Sequence, residues 1–138
     1  MTPDLSTRYL GLDLRSPIVA SASPLTSDDG YAKELEHAGV AAIVLPSLFE
    51  EEILHEELEL NRALEAGTET FAEALDYFPA TPELANAGDR YLKSLAAIKR
   101  AVSVPVIASL NATTMGGWIH YAELMADAGA DAVELNLY

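Results

Sequence analysis

Residues 38–46 read AGVAAIVLP, and residues 128–136 repeat the pattern as AGADAVELN. Each copy joins the end of a predicted helix, a glycine suited to a helix C-cap, a short turn and an apolar run of strand length. Buried strands that alternate with helices are typical of parallel sheets, in which each helix connects two neighbouring strands. The repeat therefore predicts an α/β fold that is built from β/α units.

Two further apolar runs complete a set of four predicted strands, near residues 17–22, 41–46, 105–110 and 132–137. Pro46 is expected to end the second strand, because proline cannot donate a ladder hydrogen bond. A closed (β/α)8 TIM barrel needs about 250 residues. The chain has 138, so we expect one domain over residues 1–138 that forms the first four β/α units, a half-barrel.

Helices are predicted between these strands from apolar spacing and cap residues. The first is expected to begin at the cap residues 26–29, the second at the acidic run from residue 50, the third near Tyr91 and the fourth at Gly117. Residues 77–87 contain two prolines and are predicted to form a loop.

Composition restricts the function classes. Eight Lys and Arg against 22 Asp and Glu give a net charge of −14, which disfavours nucleic acid and anionic membrane surfaces as partners. The chain has no cysteine, which excludes disulfides, thiolate metal sites and a cysteine nucleophile. No signal-like start or apolar run of membrane length occurs, so a cytoplasmic protein with a small-molecule substrate is expected.

The acidic residues are concentrated in one segment. Residues 50–76 hold ten carboxylates and one base, Arg62. The apolar residues between them follow helical spacing, which favours a helix with a solvated acidic face. Ser47 and Glu50, three residues apart, predict a capping box at its start, where negative charge also suits the helix dipole.

Neutral polar side chains follow the predicted strands. In a barrel the chemistry lies at the carboxyl ends of the strands, which here are residues 22–23, 46–47, 111–114 and 136–138. Small hydrogen-bonding residues of this kind suit a flat ring that carries the redox chemistry itself. Each asparagine has the alternative role of a turn or strand-end cap.

Three strand regions resemble one family. Residues 16–24 (SPIVASASP), preceded by a short predicted β-hairpin over residues 9–15, resemble the opening of dihydroorotate dehydrogenases. Residues 106–111 (VIASLN) are similar to the third strand of that family, and residues 134–137 (ELNL) to its Glu-Leu-Asn strand. The resemblance extends in order along essentially the whole chain.

The resemblance implies an FMN-dependent TIM-barrel oxidoreductase of pyrimidine biosynthesis that acts on CH–CH bonds and oxidises dihydroorotate to orotate, or a related substrate. It implies that Asn136 contacts both flavin and substrate. The residues that it assigns to the cofactor are Ala22, Ser23, Pro46, Ser47, Asn111 and Asn136. It places the catalytic base and the phosphate-binding loops after Tyr138.

Two departures from the family pattern bear on the substrate. The second strand of the family ends Thr-Lys-(Ser/Thr), whereas residues 45–47 are Leu-Pro-Ser, so the lysine that reaches flavin and substrate is absent. The family's substrate loop would fall between residues 68 and 89, where only the NAG at residues 86–88 resembles it. The carboxylate of dihydroorotate would therefore lose a cationic partner.

Other candidate sites are weaker. Glu52 and His55 have the spacing of a carboxylate–histidine metal pair, but no second copy accompanies them, so no metal is expected. The serines lack a plausible histidine partner for hydrolysis. The pair Gly116 and Gly117 at a predicted helix start suits either a bound anion or a tight turn.

A second interpretation is a non-catalytic half-barrel that cannot hold flavin without a partner or the other half. Such a half-barrel leaves parallel edges and an apolar interior open, so we expect a homo-oligomer. We also expect these 138 residues alone to bind FMN weakly or not at all.

Overall fold

The computed structural model describes residues 3–68 and 85–137. Its six strands are β1 (Thr7–Tyr9), β2 (Leu12–Leu14), β3 (Val19–Ala20), β4 (Ala42–Phe49), β5 (Val106–Asn111) and β6 (Ala132–Leu135). Its helices are a 3-10 helix (Pro24–Ser27), α1 (Asp29–Ala38), α2 (Glu50–Thr68), α3 (Ala87–Ala101) and α4 (Met115–Asp127).

A four-stranded parallel sheet is the centre of the fold. Its strand order is β3-β4-β5-β6, and every neighbouring pair is parallel. The prediction of four parallel strands linked by helices is therefore confirmed. The first strand is shorter than expected, since only Val19 and Ala20 pair with β4, opposite Ala42 and Ile43.

The predicted N-terminal hairpin is present as the antiparallel pair β1 and β2. Its two turn residues, Leu10 and Gly11, have φ angles of 52° and 80°. Positive φ at both positions is the geometry of a type I′ turn, which matches the twist of the two strands that it joins. The hairpin places Leu14, which is buried, against the sheet residues Val44 and Ile107.

The two faces of the sheet have different partners. One face packs on the helices, and its core includes the sheet residues Ile43, Leu45, Leu48, Val106, Ala108 and Leu110. Each of the four α-helices contributes at least one buried residue to this core, namely Ala32, Ile53, Leu95, Ile98 and Met125. The opposite face is covered near its amino end by the hairpin. Towards the carboxyl ends of the strands it carries polar side chains instead.

The Gly39 and Gly129 repeat has the expected role in the structure. Gly39 has a φ of 105° and ends α1, and Gly129 has a φ of 101° just after α4. Both conformations are left-handed, which glycine adopts at little cost. Arg15 adds to the first of these ends by donating to the carbonyls of Glu36 and Val40 at 2.9 and 2.6 Å.

Two helix starts differ from the predictions. The third helix begins at Ala87, four residues before Tyr91, because Asn86 caps it and accepts a hydrogen bond from the Asp89 N–H at 2.9 Å. The fourth begins at Met115, with Thr114 as its N-cap, so Gly117 lies inside the first turn. The predicted loop over residues 77–87 lies mostly outside the described residues.

The prediction that Pro46 ends the second strand is wrong. Strand β4 continues through Pro46 to Phe49, and its register against β5 shifts between Val44 and Ser47. Val44 pairs with Ile107 and Ser47 with Ser109, so two residues of β4 lie opposite one residue of β5. This is a β-bulge, and a bulge tolerates proline because the extra residue leaves the ladder.

A tyrosine hydroxyl occupies the position that the bulge leaves open. The Ile43 N–H donates to the Pro105 carbonyl, so the odd-numbered residues of β5 direct their backbone groups towards β4. At Ser109 those groups meet Tyr91 of α3 instead: its hydroxyl accepts from the Ser109 N–H at 2.9 Å and donates to the Ser109 carbonyl at 3.3 Å. Helix α3 is thereby joined to the sheet at the bulge.

No helix in residues 3–68 and 85–137 is long and apolar enough to cross a membrane.

The Tyr91 contact predicts a loss of stability in Tyr91→Phe. Removing the hydroxyl leaves the N–H and carbonyl of Ser109 without their partner. We expect the unfolding free energy, measured with urea, to fall by about 1–3 kcal/mol. Tyr9→Phe is the control, because Tyr9 is 51% exposed. An equal loss in both variants would contradict this role for Tyr91.

The unfolding free energy at alkaline pH provides a second test of the Tyr91→Phe variant. Burial, with the nearby charge of Glu134, raises the pKa of Tyr91 from 10.0 to about 12. The unfolded chain therefore loses this proton first, and the wild-type unfolding free energy should fall as pH rises from about 10 to about 12. In Tyr91→Phe this part of the fall should be missing.

Candidate functional site

A cleft of about 570 Å³ opens at the carboxyl ends of β4, β5 and β6. Its lining residues are Phe49, Glu51, Asn111, Ala112, Thr113, Trp118, Asn136 and Leu137. Two of them, Asn111 and Asn136, are asparagines for which the family resemblance implies contact with a cofactor. Phe49 and Trp118, together with Ala112 and Leu137, supply the apolar part of the lining.

A hydrogen-bonded network of four side chains lies beside this cleft on the sheet face that the helices leave open. The Ser47 and Ser109 hydroxyls are 2.8 Å apart, and the Asn136 amide Nδ2 donates to both, at 2.9 and 3.0 Å. The Ser109 hydroxyl donates to the Glu134 carboxylate at 3.1 Å. We call Ser47, Ser109, Glu134 and Asn136 the strand-end network.

Strand alternation explains why these four residues meet. Ser109 pairs with Ser47 on one side and with Glu134 on the other, so the three side chains stand in one row across the sheet. Asn136 follows Glu134 by two positions and its N–H donates to the Leu110 carbonyl at 3.0 Å. Because the bulge adds one residue to β4, Ser47 and not Pro46 comes level with Ser109.

The other residues assigned to the cofactor lie apart from the strand-end network. Ala22 is exposed and follows the short strand β3. Ser23 is the N-cap of the 3-10 helix: its N–H donates to the Thr26 hydroxyl at 3.1 Å, and that hydroxyl donates to the Ser23 carbonyl at 2.8 Å. Pro46 is half-buried and borders a separate groove beside α3. Contacts of these three residues with a flavin remain predictions.

Glu50 corrects two predictions made from the sequence. It is 6% exposed, so it does not belong to a solvated acidic face. Its carboxylate accepts from the backbone N–H groups of Thr113 and Thr114, at 2.6 and 2.9 Å, and from the Thr114 hydroxyl at 2.6 Å. The predicted capping box with Ser47 is therefore wrong, because Glu50 binds the loop before α4 and Ser47 binds the strand-end network.

The same carboxylate provides the anion at the start of α4. Burial alone would raise the pKa of Glu50, but the hydrogen bonds from Thr114 and Thr113 outweigh it, so the pKa lies below its ordinary value. A β-carbon at Gly117 would overlap the Glu50 carboxylate, whereas one at Gly116 would meet nothing within 4 Å. Gly117 therefore leaves room for a carboxylate of the protein itself.

A second acid of the run also binds outside its own helix. The Glu56 carboxylate accepts from the Ala87 N–H at 2.7 Å and pairs with the Arg90 guanidinium at 2.6 Å. Glu50 and Glu56 thus tie the acidic helix α2 to α4 and α3. Among the described residues no group of three or more His, Cys, Asp or Glu could hold a metal ion, and Glu52 and His55 belong to no such group.

The side chains present fit one side of a flavin ring but not its phosphate. Asn111 and Asn136 offer neutral hydrogen-bonding groups to a ring that bears carbonyl and nitrogen atoms, and Trp118 offers an apolar surface. Within the described part of the chain, no Lys or Arg lines the cleft. The cleft can therefore orient a flat, hydrogen-bonding ligand through its two asparagines, and the Glu51 carboxylate in its lining disfavours an anionic group.

Sequence reasoning missed Ser109 and Glu134 as members of the site. Both lie in the motifs that carry the family resemblance, and each stands two positions before a predicted asparagine. Counting back by two along a strand stays on the same face, so this signal was available. The contacts of Glu50 with Thr113 and Thr114, more than 60 positions away, have no local signal in the sequence.

No known family model and no curated protein sequence matches this chain.

The two glycines at the start of α4 make a matched pair of variants. Gly117→Ala displaces the Glu50 carboxylate from its hydrogen bonds, which we expect to cost about 2–3 kcal/mol of unfolding free energy. Gly116→Ala should be neutral or stabilise the helix by up to about 1 kcal/mol, since alanine favours helix over glycine. Equal effects of the two changes in urea unfolding would contradict the placement of Glu50.

Proposed function

We propose that this chain supplies the first four β/α units of an FMN-dependent oxidoreductase barrel, similar to dihydroorotate dehydrogenases, that acts on CH–CH bonds. The observation that carries the proposal is the meeting of Ser47 and Asn136, beside Asn111, at the carboxyl ends of consecutive parallel strands. Ligands of parallel barrels bind at this end of the sheet.

The strand order supports a barrel over a doubly wound sheet. In a doubly wound sheet the order reverses at a switch point and helices cover both faces. Here the order follows the chain from β3 to β6 without reversal, and the four α-helices share one apolar core. The sheet face opposite the helices carries Ala42, Val44, Ile107 and Ala132, small and branched apolar side chains of the kind that fill a barrel interior.

In the proposed enzyme the residues of this chain position the ligand. Asn111 and Asn136 would bind the ring edge by neutral hydrogen bonds, and the strand-end network would hold Asn136 in place. Phe49 and Trp118 would exclude water from the ring. Bound FMN supplies the hydride-accepting chemistry. The catalytic base and the phosphate contacts are expected from further β/α units.

We expect the substrate of the proposed enzyme to differ from dihydroorotate in the group that the lysine of the family would bind. The position at which the family has a lysine is Pro46 at the bulge, and Ser47 presents a neutral hydroxyl at this strand end. A carboxylate bound here would lose a charge-assisted hydrogen bond, which contributes about 1.5–3 kcal/mol. We therefore propose a related substrate that lacks the carboxylate.

A second candidate function is the non-catalytic half-barrel that associates with a partner or with itself. Four apolar side chains near β6 favour it, since they are 51–77% exposed: Met115, Ile119, Leu135 and Leu137. An open parallel strand edge beside exposed apolar residues is a site of association. This candidate predicts oligomers and no perturbation of the cleft by flavin.

Titration of the 15N-labelled protein with riboflavin and with FMN tests the proposal. We expect weak binding that shifts the side-chain amide signals of Asn111 and Asn136, with similar affinity for the two flavins. The affinities should agree because this part of the barrel contacts the ring, while barrels commonly bind phosphate after strands seven and eight.

Asn136→Ala should weaken the binding roughly tenfold, the effect of losing about one hydrogen bond. Asn61→Ala is the control, because Asn61 is an exposed residue of α2. The proposed function would be overturned if added flavin did not shift the side-chain amide signals of Asn111 and Asn136. Equal affinity of flavin for Asn136→Ala and for the wild-type protein would also overturn it.

A further inference from the structure

In the strand-end network, each hydroxyl has a fixed role as donor or acceptor in each hydrogen bond. The Ser109 hydroxyl donates to the Glu134 side chain at 3.1 Å, and a hydroxyl has only one proton to donate. Ser109 has then no proton for Ser47, and across their 2.8 Å contact Ser47 must be the donor. Both serine protons are thereby used.

This direction determines the orientation of the Asn136 carboxamide. Neither serine has a proton left, so only the amide end of Asn136 can bind them, and Nδ2 donates to Ser47 and Ser109 at 2.9 and 3.0 Å. All hydrogen-bonding positions of the buried Ser109 hydroxyl are then filled. The Oδ1 atom of Asn136 is turned away from the serines, and Asn136 lines the cleft.

We propose that Glu134 is a positioning residue that acts through Ser109 to keep the Oδ1 acceptor of Asn136 directed to the cleft. The cleft then selects a ligand whose edge presents an N–H donor at this point, as an amide or imide ring does. The orientation follows from the hydrogen bonds alone, whereas the class of ligand rests on the proposed function.

Glu134→Gln tests the direction of the network with nearly unchanged shape. Glutamine both donates and accepts, so Ser109 is released and the Asn136 carboxamide can turn over. In the ligand-free protein we expect the Asn136 side-chain NH2 protons to exchange with solvent roughly fivefold faster, the effect of losing one ordinary hydrogen bond. Ser109→Ala should give a similar or larger acceleration.

The control variant is Glu123→Gln, which makes the same change at an exposed position of α4 and should leave the exchange of Asn136 unaltered. Backbone amide spectra show whether each variant is folded. Unchanged exchange of the Asn136 NH2 protons in a folded Glu134→Gln protein would overturn the inference.

The wild-type protein provides a test that needs no variant. Both NH2 protons of Asn136 should show nuclear Overhauser contacts with the β-protons of Ser47 and Ser109, and their absence would also overturn the inference. If these contacts are present while flavins leave the cleft unshifted, the proposed function fails and the orientation of Asn136 stands.

Discussion

The β-bulge at Leu45 and Pro46 is the feature on which the site depends. One extra residue in β4 changes which side chains face the helices and which face the open side of the sheet. Before the bulge, Val44 is level with Ile107 in the apolar region; after it, Ser47 is level with Ser109. Without this extra residue Pro46 would stand opposite Ser109, and the strand-end network would lose a hydroxyl.

Two side chains from separate helices, Tyr91 and Glu50, stabilise the polar region that results. Tyr91 of α3 fills the backbone gap at the bulge, so the buried groups of Ser109 are paired on the helix side as well as within the network. Glu50, immediately after β4, holds the loop that leads from β5 into α4. A buried polar site is stable only when nearly every group is paired, and no buried side-chain nitrogen or oxygen among the described residues lacks a partner.

The sequence predicts the layers of this fold better than its strand ends. Apolar runs and the Gly39 and Gly129 caps are local signals, so four parallel strands and their helices follow from them. The effect of Pro46 does not, because whether a proline ends a strand or sits in a bulge depends on distant contacts, here the Tyr91 hydroxyl of α3 that pairs with Ser109. The motif around Asn136 is a local signal, so its place at the cleft could be predicted. The buried contacts of Glu50 could not, because they depend on residues far along the chain.

The most direct test of this account is the register of β4 against β5 at the bulge, measured by nuclear Overhauser contacts in solution. The bulge predicts contacts between the β-protons of Ser47 and those of Ser109, with Pro46 away from that row. Contacts of Pro46 with Ser109, and Ser47 on the helix side, would mean that β4 runs without the extra residue. That result would contradict both the strand-end network and the site built on it.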